Sequence, residues 1–163
     1  ALVGYEQRIL SGDVTLRAEA EAGAMVHRSG FSRISERFNL SGDQMRGFRP
    51  FGIGPRDATT GDGLGGNYFA VARFEAQFPL GLPQEYGISG GAFVDVGTLW
   101  GLDNVAAVDQ PLEGLGRRLR ATAGVALFWE SPIGPLRFNF SVPLRREAYD
   151  RVQHFDFSIA ARF

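Results

Sequence analysis

Residues 118–142 read RLRATAGVALFWESPIGPLRFNFSV and contain two runs in which apolar side chains alternate with polar or small ones. In the second run the even positions are apolar, whereas Arg137, Asn139 and Ser141 occupy the odd positions between them. Alternation with a period of two is typical of a β-strand that has one apolar face. A short connection with Pro and Gly joins the runs at 131–134, so the stretch predicts a β-hairpin.

The same alternation recurs elsewhere along the chain and predicts six strands in all. Besides the runs at 118–129 and 136–142, the alternating segments are 13–26, 69–78, 87–100 and 154–163. Residues 2–8 add a seventh strand if they are the end of an earlier one. Because helical periodicity is missing from these segments, the sequence indicates an all-β fold.

Composition excludes several classes of function. The 163 residues carry 17 basic and 18 acidic side chains, a formal net charge of −1, which argues against a nucleic-acid partner. The sequence has no Cys, and this excludes disulfides, thiolate metal sites and cysteine nucleophiles. All apolar runs are shorter than the roughly 18 residues that a membrane-spanning helix needs.

The length of the alternating segments favours a transmembrane β-barrel. Most run for about 10 to 14 residues, whereas strands of soluble proteins are typically about five or six residues long. Trp100, Trp129 and Tyr149 lie near segment ends, where a membrane barrel carries its aromatic girdles. A soluble β-sandwich remains the alternative, because its strands also alternate.

The predicted connections alternate in length, as the turns and loops at the two rims of an outer-membrane barrel do. The short ones are 7–12, 79–86 and 131–134, and the long ones are 27–67, 101–117 and 145–153. The connection at 27–67 is too long to be passive. Its Gly61, Gly63 and Gly66 satisfy the spacing G-x-G-x-x-G, but a strand and not a helix follows them, which excludes a nucleotide site.

Several motifs together carry a family resemblance. They are MRGF at 45–48, GIGPR at 52–56, AFVDVGTLW at 92–100, SPIGPLRFNF at 131–140 and the terminal FDFSIAARF at 155–163. In order and spacing they resemble the barrel of the BamA/TamA superfamily of outer-membrane assembly proteins. The resemblance implies that residues 1–163 are the C-terminal portion of an antiparallel 16-stranded transmembrane β-barrel, with no POTRA domain in this chain.

The resemblance also implies a site. In the family the Arg of the R-G-F motif lies in a loop folded back into the barrel lumen, where it meets acidic residues of the wall. Carried over, Arg46, Gly47 and Phe48 form the motif in a lumen loop at 27–67, and the acidic partners are Asp95 and Glu75. Alternation agrees independently, because both carboxylates stand on the face opposite the apolar one.

The terminal segment fits the aromatic-ended signal by which outer-membrane proteins are recognised for insertion. Its members are Phe155, Phe157, Ile159 and the terminal Phe163. The resemblance implies an insertase of the bacterial outer membrane that folds and inserts nascent β-barrel proteins through a lateral seam. Its implied partners are those proteins, outer-membrane lipids, and accessory lipoproteins that bind through POTRA domains.

We expect no enzymatic activity, cofactor or metal site. The sequence offers no nucleophile elbow and no calcium-loop pattern of carboxylates. A TamA-like protein or a two-partner secretion pore is the alternative to the assembly insertase.

Overall fold

An antiparallel seven-stranded sheet runs through the chain, in the order β1-β2-β4-β5-β7-β8-β9. The computed structural model describes residues 2–11 (backbone only), 13–26, 32–40, 42, 44–103, 105 and 110–159. The strands are β1 Leu2–Ser11, β2 Val14–Ala24, β3 Arg56–Asp57, β4 Tyr68–Pro79, β5 Ile88–Trp100, β6 Leu112–Glu113, β7 Arg120–Ser131, β8 Gly134–Arg145 and β9 Phe155–Ile159. This architecture confirms the predicted all-β fold and its seventh strand.

The remaining elements are small. Strands β3 and β6 pair with each other in a separate two-stranded sheet, and single 3-10 turns lie at Ile34–Glu36 and Gln84–Tyr86. No helix among the described residues is both long and apolar enough to cross a membrane. The sequence does not predict β3 and β6, because two residues are too few to show a period.

The bounds of one predicted connection are wrong. Strand β1 continues past residue 8, and its register pairs Ser11 with Val14. Two residues therefore connect β1 and β2, as in the tightest hairpins, so a short connection exists as predicted but its predicted bounds, 7–12, are wrong. Backbone pairing continues through Ile9 and Leu10 opposite Leu16 and Thr15.

The two faces of the sheet have the opposite character to those of a soluble sandwich. The apolar side chains that define the alternation are largely exposed, with 54% of Phe74 and 40% of Val94 accessible to solvent. On the other face Asp95 is completely buried. Apolar side chains that point outwards from the sheet fit a surface that faces lipid, and this arrangement contradicts the sandwich alternative.

The core lies between the inner face of the sheet and the long loop. The residues that pack together there are Leu40, Met45, Phe48 and Ile53 from the loop, with Phe69, Val71 and Leu99 from β4 and β5. The three strand residues stand on the same face as Asp95 and Glu75, so this face is not wholly polar. Near the ends of β4 and β5 it turns apolar, and the loop packs there.

Candidate functional site

The guanidinium group of Arg46 lies between two carboxylates of the sheet, whose inner face we call the wall. Its Nε donates a hydrogen bond of 2.7 Å to Asp95 Oδ2, and its Nη2 donates one of 2.5 Å to Asp95 Oδ1. Its Nη1 donates to Glu75 Oε2, and the backbone N–H of Arg46 donates to Asp95 Oδ2 at 3.0 Å. The structure thus brings the three predicted residues into contact, and we call Arg46, Asp95 and Glu75 the loop anchor.

Strand register explains why the two carboxylates meet one cation. Glu75 on β4 pairs with Phe93 on β5. Asp95 follows Phe93 by two residues on β5, so its side chain lies on the same face of the sheet. Both carboxylates therefore flank the Phe93 ring. The guanidinium carbon of Arg46 lies 3.6 Å from the centre of that ring, which adds a cation–π contact. Gly124 of β7 stands opposite Phe93, and a Cβ there would lie 2.5 Å from the ring. The missing side chain therefore leaves space for the ring.

The loop anchor is shielded from water. Arg46 exposes 5% of its side chain and Asp95 none. Burial by itself lowers the pKa of Arg46, but the hydrogen bonds and charges of Asp95 and then Glu75 outweigh burial and raise it. The guanidinium therefore stays charged in the buried site, and its two-pronged bond to Asp95 has the geometry that Arg provides and Lys does not.

Gly47 and Phe48 hold the loop against other parts of the wall. Gly47 has a φ of +90°, and a Cβ on it would lie 2.7 Å from Thr122 Cγ2 on β7. Phe48 is 2% exposed in the core and forms an isolated antiparallel bridge with Val152. Each residue of the R-G-F motif thus contacts a different partner.

We expect Gly47→Ala to destabilise loop docking by about 2–3 kcal/mol, because it combines a positive φ with a steric overlap. Chymotrypsin cleavage after the buried Phe48, measured in the full-length protein, reports how often the loop opens. Gly42→Ala is the matched control, since Gly42 also has a positive φ (+55°) but its Cβ would meet nothing within 4 Å. Equal cleavage rates in the two variants would contradict a close approach at Gly47.

The connection between β8 and β9 binds the long loop through its backbone. Arg49 N–H donates to Arg151 O at 3.0 Å, and Arg151 N–H donates to Gly52 O at 2.8 Å. Gln153 N–H donates to Gly47 O at 3.0 Å. We call this set the backbone ladder. It places residues of the R-G-F motif next to the chain that leads into β9.

A buried ion pair holds the same connection to the wall. Arg120 Nε and Nη2 donate to the two carboxylate oxygens of Asp150 at 3.0 Å and 2.9 Å, and neither side chain is exposed. The ring of Tyr149 lies beside the guanidinium groups of both Arg120 and Arg56, at 5.8 Å and 5.5 Å. The sequence analysis did not find this pair, because the two residues lie in different predicted elements and no motif connects them.

A polar contact ties the start of the long loop to the connection after β5. The backbone N–H of Ser32 donates to Asp103 Oδ2 at 2.6 Å, and the Ser32 hydroxyl donates to Asp103 Oδ1. Burial raises the pKa of Asp103, but these hydrogen bonds outweigh burial and lower it to about 2. Arg37 Nε donates to the same hydroxyl at 2.8 Å.

The predicted terminal signal lies on the exposed apolar face of β9. Phe155 and Phe157 are 49% and 45% exposed, and each ring packs against its register partner on β8, Phe140 or Phe138, at about 5 Å. Ile159 is exposed as well. Phe163 lies outside the described residues. Within the described part of the chain no three His, Cys, Asp or Glu side chains cluster to hold a metal ion.

Sequence reasoning missed three residues of the wall around the loop anchor. The Phe93 ring packs under the Arg46 guanidinium, Gly124 leaves space for that ring, and Arg137 of β8 contacts Glu75. Alternation places all three on the inner face, and this was the available signal. It did not reveal which inward residues become neighbours across intervening strands.

Comparison with known proteins gives a consistent result. Residues 4–163 match the Omp85 superfamily domain. Two curated relatives are named outer membrane protein assembly factor BamA. The one from Neorickettsia risticii is 38% identical over 80% of this chain, and the one from Nitratidesulfovibrio vulgaris is 30% identical over 94%. The chain spans 17% and 19% of their respective lengths.

A solved structure has the same fold. The crystal structure of BamA from Haemophilus ducreyi lacking POTRA domains 1–3 aligns with a TM-score of 0.79 and 24% identity. The alignment covers 96% of this chain and 34% of that one. The seven-stranded sheet therefore corresponds to part of a larger barrel protein.

Proposed function

This chain belongs to the Omp85 superfamily, and on that premise we propose that it is part of an insertase that folds and inserts outer-membrane proteins. Its location is the bacterial outer membrane, as predicted. Relatives named as outer membrane protein assembly factors support the proposal. The observation that carries it is the loop anchor, which holds a long loop against the inner face of a sheet whose outer face is apolar.

The proposed mechanism uses strand edges and not reactive side chains. Strand β9 has β8 on one side, and the order of the sheet places β9 at its edge. An incoming strand that pairs with such an edge obtains its affinity from main-chain hydrogen bonds. The complete barrel would have 16 strands and open laterally at this edge, and it would assemble its clients without catalysing a chemical reaction.

Several partners belong to the proposal. The substrates are nascent outer-membrane β-barrel proteins, and Phe155, Phe157 and Ile159 expose apolar surface to outer-membrane lipids beside the edge. Accessory lipoproteins would bind POTRA domains that are not part of this sequence. A TamA-like protein or a two-partner secretion pore is the alternative to assembly.

Depletion of the full-length protein tests the proposal. We expect the levels of many different outer-membrane β-barrel proteins to fall together, because an insertase serves all of them. The second measurement is the ion conductance of the purified protein in planar bilayers, which separates assembly from secretion. We expect this conductance to stay low while the loop is docked. Loss of a single secreted cargo with normal levels of the other barrels, together with a stable open pore, would contradict assembly and support secretion.

A further inference from the structure

Arg137 of β8 reaches across the inner face of the sheet to the loop anchor. Its Nη2 donates to Glu75 Oε2, the oxygen that also accepts from Arg46, and its Nη1 lies 3.4 Å from Glu75 Oε1. Glu75 is on β4, so two strands, β5 and β7, lie between the partners. The contact therefore connects parts of the wall that backbone pairing does not join directly.

The position of Arg137 is fixed on three sides. Its guanidinium carbon lies 4.9 Å from the centre of the Phe128 ring, its register partner on β7. Its Nε donates to Asn139 Oδ1 at 2.8 Å. The side chain is 23% exposed and the Glu75 side chain is 11% exposed. A cation already held by a ring and an amide in a partly buried place loses little additional entropy when it binds Glu75.

Charge balance gives Arg137 a role that Arg46 cannot fill. Within the loop anchor two carboxylates, Asp95 and Glu75, meet one cation, Arg46, so these three side chains together carry one excess negative charge. Burying an uncompensated charge is costly. With Arg137 included, two cations meet two anions, and these four side chains are neutral together.

The polar contacts also continue from Arg137 towards the edge of the sheet. Asn139 Nδ2 lies 3.4 Å from Asp156 Oδ2, and β8 and β9 pair these two residues in register. Arg137 itself pairs with Ser158 of β9. A path of polar side chains thus leads from the loop anchor on β4 and β5 to β9.

We propose that Arg137 is a positioning residue that balances the charge of Glu75, holds it where it receives Arg46, and so couples docking of the long loop to β8. The inference deepens the proposed function, since it names a residue that controls the loop on which that function rests. Its test is protease cleavage of the long loop, which is measured separately from the assembly of outer-membrane proteins.

The experiment compares Arg137→Gln with the unmodified full-length protein in isolated outer membranes. We expect chymotrypsin to cleave after Phe48 about ten times faster in the variant, because a partly buried carboxylate loses a cation that contacts its oxygens. Arg145→Gln is the matched control on the same strand, where the side chain is exposed, and we expect no change. Arg137→Lys restores the charge without the planar fork, so we expect partial rescue.

A double-mutant cycle separates positioning through Glu75 from a general loss of stability. In a Glu75→Gln background the carboxylate charge is already removed, so we expect Arg137→Gln to add less than about a twofold effect. Equal effects of Arg137→Gln in both backgrounds, or an unchanged cleavage rate in the single variant, would overturn the inference. Faster cleavage with normal assembly of outer-membrane proteins would support the inference and contradict the proposed role of the loop.

Discussion

Replacing Asp95 with Ala releases the long loop from the inner wall. Arg46 then keeps a buried guanidinium whose closest partner is gone, and removing one member of a buried ion pair typically costs about 3–5 kcal/mol. Its backbone N–H loses the same acceptor. We expect the lower end of this range, because Glu75 still binds Arg46.

Chymotrypsin cleavage after Phe48 in the full-length protein measures this release. A loss of about 3 kcal/mol raises the cleavage rate by roughly 100-fold when opening is fast relative to cleavage. Asp95→Asn retains an acceptor without the charge, so its cleavage rate should lie between those of Asp95→Ala and the unmodified protein. Asp62→Ala changes an exposed carboxylate of the same loop and serves as control. Cleavage as slow as in that control would show that the ion pair does not hold the loop.

The second large effect is expected at the buried pair of Arg120 and Asp150. Asp150→Ala leaves a fully buried guanidinium without its two-pronged partner and removes the acceptor for the N–H of Glu147. We expect a loss of about 3–5 kcal/mol in the local stability of the connection between β8 and β9. The backbone ladder should open with it, because Arg151 and Gln153 directly follow Asp150.

Hydrogen exchange at the amides of Arg49, Arg151 and Gln153 reports the state of the backbone ladder. We expect their protection to fall by more than about 100-fold in Asp150→Ala and to stay unchanged in Arg118→Met, an exposed control near Arg120. The double variant Arg120→Met with Asp150→Leu should recover part of the protection, since replacing both partners by apolar groups removes the stranded charge. If the three amides are less protected in the double variant than in Asp150→Ala alone, packing and not charge controls the stability of this site.

Alternation was sufficient to predict six strands of the main sheet and the directions in which their side chains face. It placed Asp95 and Glu75 on the inner face because the period of a strand is two and the wall has one apolar side. It failed at the tight hairpin before β2, where continuous pairing extended β1 through a segment with no clear period. It also gave no account of Phe69, Val71 and Leu99, which are apolar on the inner face because the loop covers them.

The contacts within the site depended on information that one sequence does not contain. The family resemblance supplied the meeting of Arg46 with its two acidic partners. Arg137 and Glu75 are 62 positions apart and separated by two strands, so local spacing carries no signal for their contact. The sequence does fix their chemical types, and the register of the sheet decides which opposite charges become neighbours.

The backbone ladder has a mechanical consequence for the edge of the sheet. Gln153 is bonded to the long loop, and only one residue separates it from the start of β9. A displacement of β9 larger than that short tether permits must either break this hydrogen bond or drag residues 47–52 with it. We therefore expect movements of the final strand and of the long loop to be correlated.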